Sequence, residues 1–450
     1  MVRRRRRKCM SKNIDPLTLE AGSPENPSIF GKYLLLGLVA RGGMAEVYRA
    51  KRLKKEEGLI ALKAMRTKLL KEQKYIDMFL AEGTLGRMLQ HPNIVETHEG
   101  GRHKNVYFFT MEYIAGKDLT HVLRKVQLAD QRLPVPVAVY IAQKSADALH
   151  YAHTLTDKDD NCLNLVNRDV SPSNIRISYD GEVKIIDFGI ARAKNRATSE
   201  IGTLKGKFSY MSPEQIRGLP LDGQTDIFSL GIVLYEMLTM ERLFKGESET
   251  VLMEKVRQSV IPPPSTINKR VSPELDEVVL KALSRDKKQR YQTAGDLAAA
   301  LLKLLEPYKF SVNELGDLMK RLFHDDYVKD KEVAVIASTL DSQFQMVDTG
   351  KTESFESLID ENFDVTGIME MEVDMDPWEE EEENDPGEEG NSDDPAPPGE
   401  FMTHDPAPPA PAPPQANKAS MDPNKLIFTL LGVTAFALIV TVIIIVLKKL

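Results

Sequence analysis

The chain has 450 residues, 28% of them charged and 7% aromatic, with a formal net charge of -8. This length exceeds what one hydrophobic core usually organises, and two cysteines, Cys9 and Cys162, exclude a disulfide framework and fit a reducing compartment. Fourteen carboxylates and no Lys or Arg lie between Asp374 and Asp405, so the acidity belongs to one segment and says nothing about the folded remainder; no nucleic-acid partner is expected.

Residues 1–29 form a tail that opens with Arg3 to Arg7 and Lys8. No apolar stretch follows, so it is not a secretory signal; cations held close to anionic lipid would each add about 1 kcal/mol of attraction. Tyr33 to Ala40 and Val47 to Arg52 alternate as two short strands around Ala40-Arg41-Gly42-Gly43-Met44-Ala45, where small residues let backbone amides approach phosphates. Leu59 to Met65 reads as a third strand carrying Lys63, and Ile76, Phe79, Leu80 and Met88 recur at helical spacing through Glu82 until His91-Pro92 stops the helix. Val106 to Tyr113 predicts another strand, running into Glu112-Tyr113-Ile114-Ala115-Gly116.

Pro134 to Leu155 reads as a mostly buried helix leading to Asn167-Arg168-Asp169-Val170-Ser171-Pro172-Ser173-Asn174. A hairpin follows from Ile175 to Ile186, turning at Asp180-Gly181, and delivers Asp187-Phe188-Gly189. Leu275 to Leu305 is helical, and Phe310 to Val328 predicts one more amphipathic helix within a segment 306–340. From Asp341 to residue 425 the pattern fades into acidic and Pro/Ala-rich sequence, expected to be a disordered linker. Thr352, Ser354 and Thr366 lie in it with nothing to distinguish them as modification sites. Leu426 to Leu447 is uncharged and strongly apolar; 22 residues at about 1.5 Å each span roughly 33 Å, enough for one transmembrane helix.

Phosphoryl transfer from ATP needs a cation on the nucleotide phosphates, ligands for magnesium and a carboxylate at the attacking hydroxyl. Lys63, Glu82, Asp169, Asn174 and Asp187 supply that set in one order and in recognisable contexts. Over residues 30–305 the chain therefore resembles a bacterial eukaryotic-like serine/threonine protein kinase. The resemblance implies an α+β, bilobal protein kinase fold, with a small β-rich N-lobe and a large helical C-lobe. Lys63, held by Glu82, would meet the α and β phosphates; Asp169 would be the catalytic base; Asn174 and Asp187 would ligate magnesium, with manganese as a substitute. Ala40, Gly42, Gly43 and Val47 would cover the nucleotide, and Glu112 and Ile114 would meet adenine at the hinge beside Met111. Arg168 would pair with a phosphate in the activation segment, Ala191 to Tyr210, where Thr198 and Thr203 are the candidates among Thr198, Ser199, Thr203 and Ser209. Glu214 would pair with Arg290, and Asp226 would brace the catalytic loop.

Four positions depart from the family pattern. Ala40 replaces the first glycine of the phosphate loop, and Asn167 stands where histidine is usual, keeping hydrogen-bonding capacity with less aromatic area. Ser171 replaces a lysine, while Lys207 stands at a position commonly threonine, as though hydroxyl and ammonium had changed places; Lys207 is therefore counted with the catalytic residues. The expected function is a membrane-anchored kinase transferring the γ-phosphoryl group of Mg-ATP to Ser or Thr of proteins, with autophosphorylation and a signalling role. The alternative is a tethered pseudokinase scaffold, favoured by Ala40 and Asn167 and opposed by the five residues above. Because ATP is cytoplasmic, the kinase is expected on the cytoplasmic side of the cell membrane, although Lys448 and Lys449 against Lys425 lean slightly the other way.

Overall fold

The computed structural model of the chain describes residues 19, 21–53, 58–157, 159–188, 208–340 and 351–359. A seven-stranded antiparallel sheet has the order β1-β2-β3-β4-β6-β5-β10, with β1 Ser28–Phe30, β2 Tyr33–Arg41, β3 Ala45–Arg52, β4 Ile60–Met65, β5 Thr97–His103, β6 Val106–Glu112 and β10 Thr352–Ser354. Its β2, β3 and β4 sit where alternation predicted strands. The strands β1 and β5 were not expected: one is three residues long, and the other carries Gly100 and Gly101, which weaken a strand pattern. Helix α1, Gln73–Met88, packs on this sheet through Ile76, Phe79 and Leu80, while Met88 is exposed rather than inward.

Two helices, α2 Leu119–Leu128 and α3 Val135–His153, begin the helical lobe. A small sheet of β7 Gly116–Asp118, β8 Ile175–Ser178 and β9 Val183–Ile185 carries the expected hairpin, with Gly181 at φ +88° in its turn. Beyond come α4 Pro213–Arg217, α5 Gly223–Thr239, α6 Glu249–Gln258, α7 Pro273–Ala282 and α8 Ala294–Leu305. Helix α5 is buried on nearly every face and α3 on most of them, and together with α8 they form the lobe's main core.

Two expectations for the region after residue 305 need correction. The single helix over Phe310 to Val328 is two, α9 Val312–Leu322 and α10 His324–Thr339, broken at Phe323, whose φ of -124° and ψ of 40° turn its ring into the core beneath Lys117. Helix α9 lies on the β8–β9 turn, where Lys320 reaches Asp180 at 2.9 Å. Helix α10 then reaches the N-lobe: Asp330 meets Arg49 at 2.5 Å, Lys51 donates to the Ala337 carbonyl at 2.9 Å, and Val333, Ala337 and Leu340 pack with Leu34, Leu36 and Leu53. The linker expected over 341–425 is likewise not featureless. Residues 351–359 form β10 and a short helix α11, Phe355–Leu358, because a free sheet edge and one buried aromatic outweigh the polar composition around them. Among the described residues no helix is long and apolar enough to cross a membrane; the run 426–447 lies outside them.

Candidate active site

The site lies where the sheet faces the helical lobe. In β4, Lys63 is paired in register with Val47 of β3 and Phe109 of β6, and its ammonium sits 5.6 Å from the Phe109 ring centre. From α1, Glu82 accepts a hydrogen bond from Lys63, and both side chains are largely buried. Asp187 approaches the same ammonium at 3.8 Å. Burial pushes the Glu82 carboxyl upward, the Lys63 ammonium pulls it down, and the Asp187 carboxylate pushes it up again, with a net upward shift. Repulsion between Glu82 and Asp187 makes this corner a place where added positive charge is favourable. Replacing Glu82 with Gln keeps the size and removes a charge-assisted bond of about 1.5–3 kcal/mol, so steady-state kinetics of Glu82→Gln should show kcat/KM for ATP reduced about 10- to 150-fold.

The loop bearing Asp169 is braced from below by a carboxylate with no solvent exposure. Asp226 of α5 accepts from the backbone amides of Asn167 and Arg168, both at 2.8 Å, and meets His153 Nε2 at 2.8 Å. This bracing holds Arg168 at φ +63°, a conformation an unsupported arginine avoids. Asn167 itself is fully buried. Its amide donates to the Asp187 carbonyl at 3.0 Å, and its oxygen accepts from the Asp169 backbone at 3.1 Å. The residue that departed from histidine thus ties the Asp169 loop to the segment that follows β9 and carries Asp187, using both ends of its amide.

Asn174 donates to the Asp169 carbonyl at 2.8 Å and to its carboxylate at 2.5 Å. With its nitrogen so engaged, the Asn174 oxygen is the atom left for a cation. A carboxylate and an amide oxygen suit a hard divalent ion. Among the described residues no cluster of three or more His, Cys, Asp or Glu could hold a metal.

Gly42, whose amide donates to the Ala45 carbonyl at 2.8 Å, begins the tight turn joining β2 to β3. An added Cβ on Gly43 would meet nothing within 4 Å, so that glycine leaves open space above the site. Ala40 pairs with Val47 and is not among the residues with positive φ, so its methyl strains nothing. At the hinge, Glu112 ends β6 with its side chain turned to Lys184 at 2.5 Å, and Ile114 is buried with its carbonyl bonded to Arg176 at 2.8 Å. Behind Met111 a small cavity runs between Glu82, Phe109, Asp187 and Phe188.

The structure therefore brings Lys63, Glu82, Asp169, Asn174 and Asp187 to one cleft, with Ala40, Gly42, Gly43 and Val47 on the N-lobe and Glu112 and Ile114 at the hinge. Lys207, Thr198, Ser199 and Thr203 lie outside the described residues, while Ser209 is buried at 4% exposure. Glu214 and Arg290 are paired at 2.7 Å, as expected. Sequence reasoning missed the bond of Asn167 to the Asp187 carbonyl, because the spacing of two loops does not reveal which backbone atoms meet.

The protein kinase domain family matches residues 33–302. Among curated proteins the chain is similar to MasK, a tyrosine-protein kinase of Myxococcus xanthus, at 35% identity over 73% of this chain and 52% of that one. It is also similar to the serine/threonine-protein kinases PknB of Mycobacterium leprae, at 35% over 62% of this chain and 44% of that one, and PrkC of Bacillus subtilis, at 30% over 72% and 49%. The chain thus spans about half the length of the curated relatives it matches. The solved kinase domain of Mycobacterium tuberculosis PknI aligns with 64% of this chain and 99% of its own at TM-score 0.47 and 23% identity. With the family match covering most of the chain and falling on the lobes that build this cleft, the chain belongs to the protein kinase domain family.

Proposed function

We propose that the chain transfers the γ-phosphoryl group of ATP to hydroxyls of protein substrates, principally Ser and Thr. The observation that carries this is the Lys63–Glu82 pair facing Asp187 at 3.8 Å while Asn174 fixes the Asp169 carboxylate. A scaffold without turnover needs no such convergence. Lys63 would orient the nucleotide phosphates, and Glu82 keeps its ammonium from swinging away. Asp169 would align the acceptor hydroxyl and take its proton as the oxygen bonds to phosphorus and ADP departs. Magnesium held by Asp187 and Asn174 would neutralise charge on the transferred group.

The test is transfer from labelled Mg-ATP followed by phosphoamino-acid analysis, using a chain that keeps residues through 359. Label on Ser or Thr supports the reading, and label on Tyr alone overturns the acceptor class. Tyrosine is a specific second reading, because MasK is named a tyrosine kinase and Ser171 replaces the lysine that serine/threonine kinases carry there. We assign the cation missing at Ser171 to Lys207. Lys207→Ala should then lower kcat about 10- to 100-fold with little change in ATP KM, as loss of a contact made in the transition state does. Unchanged transfer would remove Lys207 from the mechanism.

The apolar run 426–447 is the basis for a single-pass membrane anchor, with the kinase domain on the cytoplasmic face where ATP is available. Autophosphorylation fits the hydroxyls of the activation segment at Thr198 and Thr203, and mass spectrometry after incubation with ATP would find phosphate there. Fractionation of cells expressing the chain with and without residues 426–447 tests the anchor, which predicts release from membranes on deletion.

A further inference from the structure

Residues 351–359 follow the kinase lobes in sequence yet dock on the N-lobe. The β10 strand pairs antiparallel with β5, with Glu353 opposite Arg102 and Ser354 opposite Gly101. Arg102 meets Glu353 at 2.6 Å, Thr352 meets the buried His103 at 2.9 Å, and Glu356 meets Arg87, in the last turn of α1, at 2.5 Å. Phe355 is then driven inward to 1% exposure, against α1 and β6.

The seat for this segment is built from glycines. A Cβ on Gly83, the residue after Glu82 in α1, would lie 2.5 Å from the Phe355 ring, and one on Gly100 would lie 2.4 Å from it. A Cβ on Gly101 would lie 1.8 Å from the Glu353 carbonyl oxygen, and its next nearest atoms also belong to Glu353 and Ser354. A glycine inside a helix costs about 1 kcal/mol relative to alanine, so Gly83 needs a reason. The Phe355 ring supplies one. Phe355 also faces Phe109 at 6.5 Å between ring centres, and Phe109 is the residue whose ring lies under the Lys63 ammonium.

We infer that residues 351–359 are a positioning element of the catalytic site, with Phe355 as the wedge that sets α1 and thereby holds Glu82 against Lys63. Phe355 touches no reacting atom; it acts on Glu82 through Gly83 and on Lys63 through Phe109. The inference rests on the kinase reading for its kinetic arm only, because the order of α1 can be read without turnover.

The experiment compares the full chain with Phe355→Ala, Phe355→Leu, Gly101→Ala and the Phe355→Ala/Gly101→Ala double variant. It measures kcat and KM for ATP together with hydrogen exchange of the α1 amides, taking α5 as the internal reference. Phe355→Ala should lower kcat/KM about tenfold and speed α1 exchange by a similar factor while α5 stays unchanged, the size expected for coupling through packed side chains. Phe355→Leu should restore most of both. Gly101→Ala should reproduce Phe355→Ala by expelling β10, and the double variant should be no worse than either single, because both remove the same docked segment. Multiplicative losses, α1 exchange within twofold of wild type, or equal acceleration in α5 would each overturn the inference. If wild type transfers no phosphate, the kinase reading fails, and α1 exchange alone still decides the positioning role.

Discussion

Asp169→Ala is expected to bind Mg-ATP as wild type does and to transfer phosphate about 10²- to 10⁴-fold more slowly, the range a positioned general base contributes. The geometry separates the two effects. Lys63, Glu82 and Asp187 form one corner of the site, and Asp169 forms another, tied to it through Asn167. Removing the Asp169 carboxylate leaves the first corner intact, so nucleotide affinity by calorimetry should hold while single-turnover transfer collapses. Asp187→Ala should lose both, because its carboxylate is the principal cation ligand proposed and the repulsive neighbour of Glu82; magnesium-dependent affinity should fall along with turnover. Transfer by Asp169→Ala within fivefold of wild type would take the base away from this residue.

The cleft was legible because each of its parts sits in a local pattern. Lys63 lies on an alternating strand, Glu82 on a helix with apolar residues at proper spacing, and Asp187 at the end of a hairpin whose Asp180-Gly181 turn is a strong signal. The Lys63–Glu82 pair followed from the resemblance, but the Asn167 bridge was not legible, since it depends on how two loops close in space. The docked segment was hidden for a related reason. Phe355, Leu358 and Ile359 are its only apolar residues, within a tract whose average composition is polar. What makes them bury is complementarity with Gly83, Gly100 and Gly101, some 250 residues earlier, which no local pattern around residue 355 reveals. The division between α9 and α10 was missed because Phe323 continues an apolar stripe whose backbone turns only when Lys117 and the core below receive its ring.

Glu214→Gln should destabilise the helical lobe by about 3–5 kcal/mol and lower its thermal midpoint by roughly 6–20 °C, because it strands a buried guanidinium. Arg290 is 1% exposed and lies 4.9 Å from the Phe228 ring centre. It donates to Glu214 at 2.7 Å, to the Gln224 carbonyl at 2.7 Å and to the Ser284 carbonyl at 3.0 Å. The carbonyls satisfy hydrogens but not charge. Burial pushes the Glu214 carboxyl up, but Arg290, with help from Thr225, more than offsets this and holds it below its ordinary range. A depressed carboxyl contributes stability that is present above the unfolded value and lost as pH falls toward the folded one. The gap between wild type and Glu214→Gln should therefore be widest near neutrality and narrow on acidification, which thermal melts at a series of pH values would show; a gap independent of pH would mean that packing, not charge, holds this corner. Activity should fall with stability, since Glu214 sits in α4 beside Gln215, whose side chain donates to the Arg168 carbonyl at 2.9 Å. Loss of α4 would release the left-handed Arg168 that aims Asp169, so the salt bridge stabilises the fold and the catalytic loop through the same few residues.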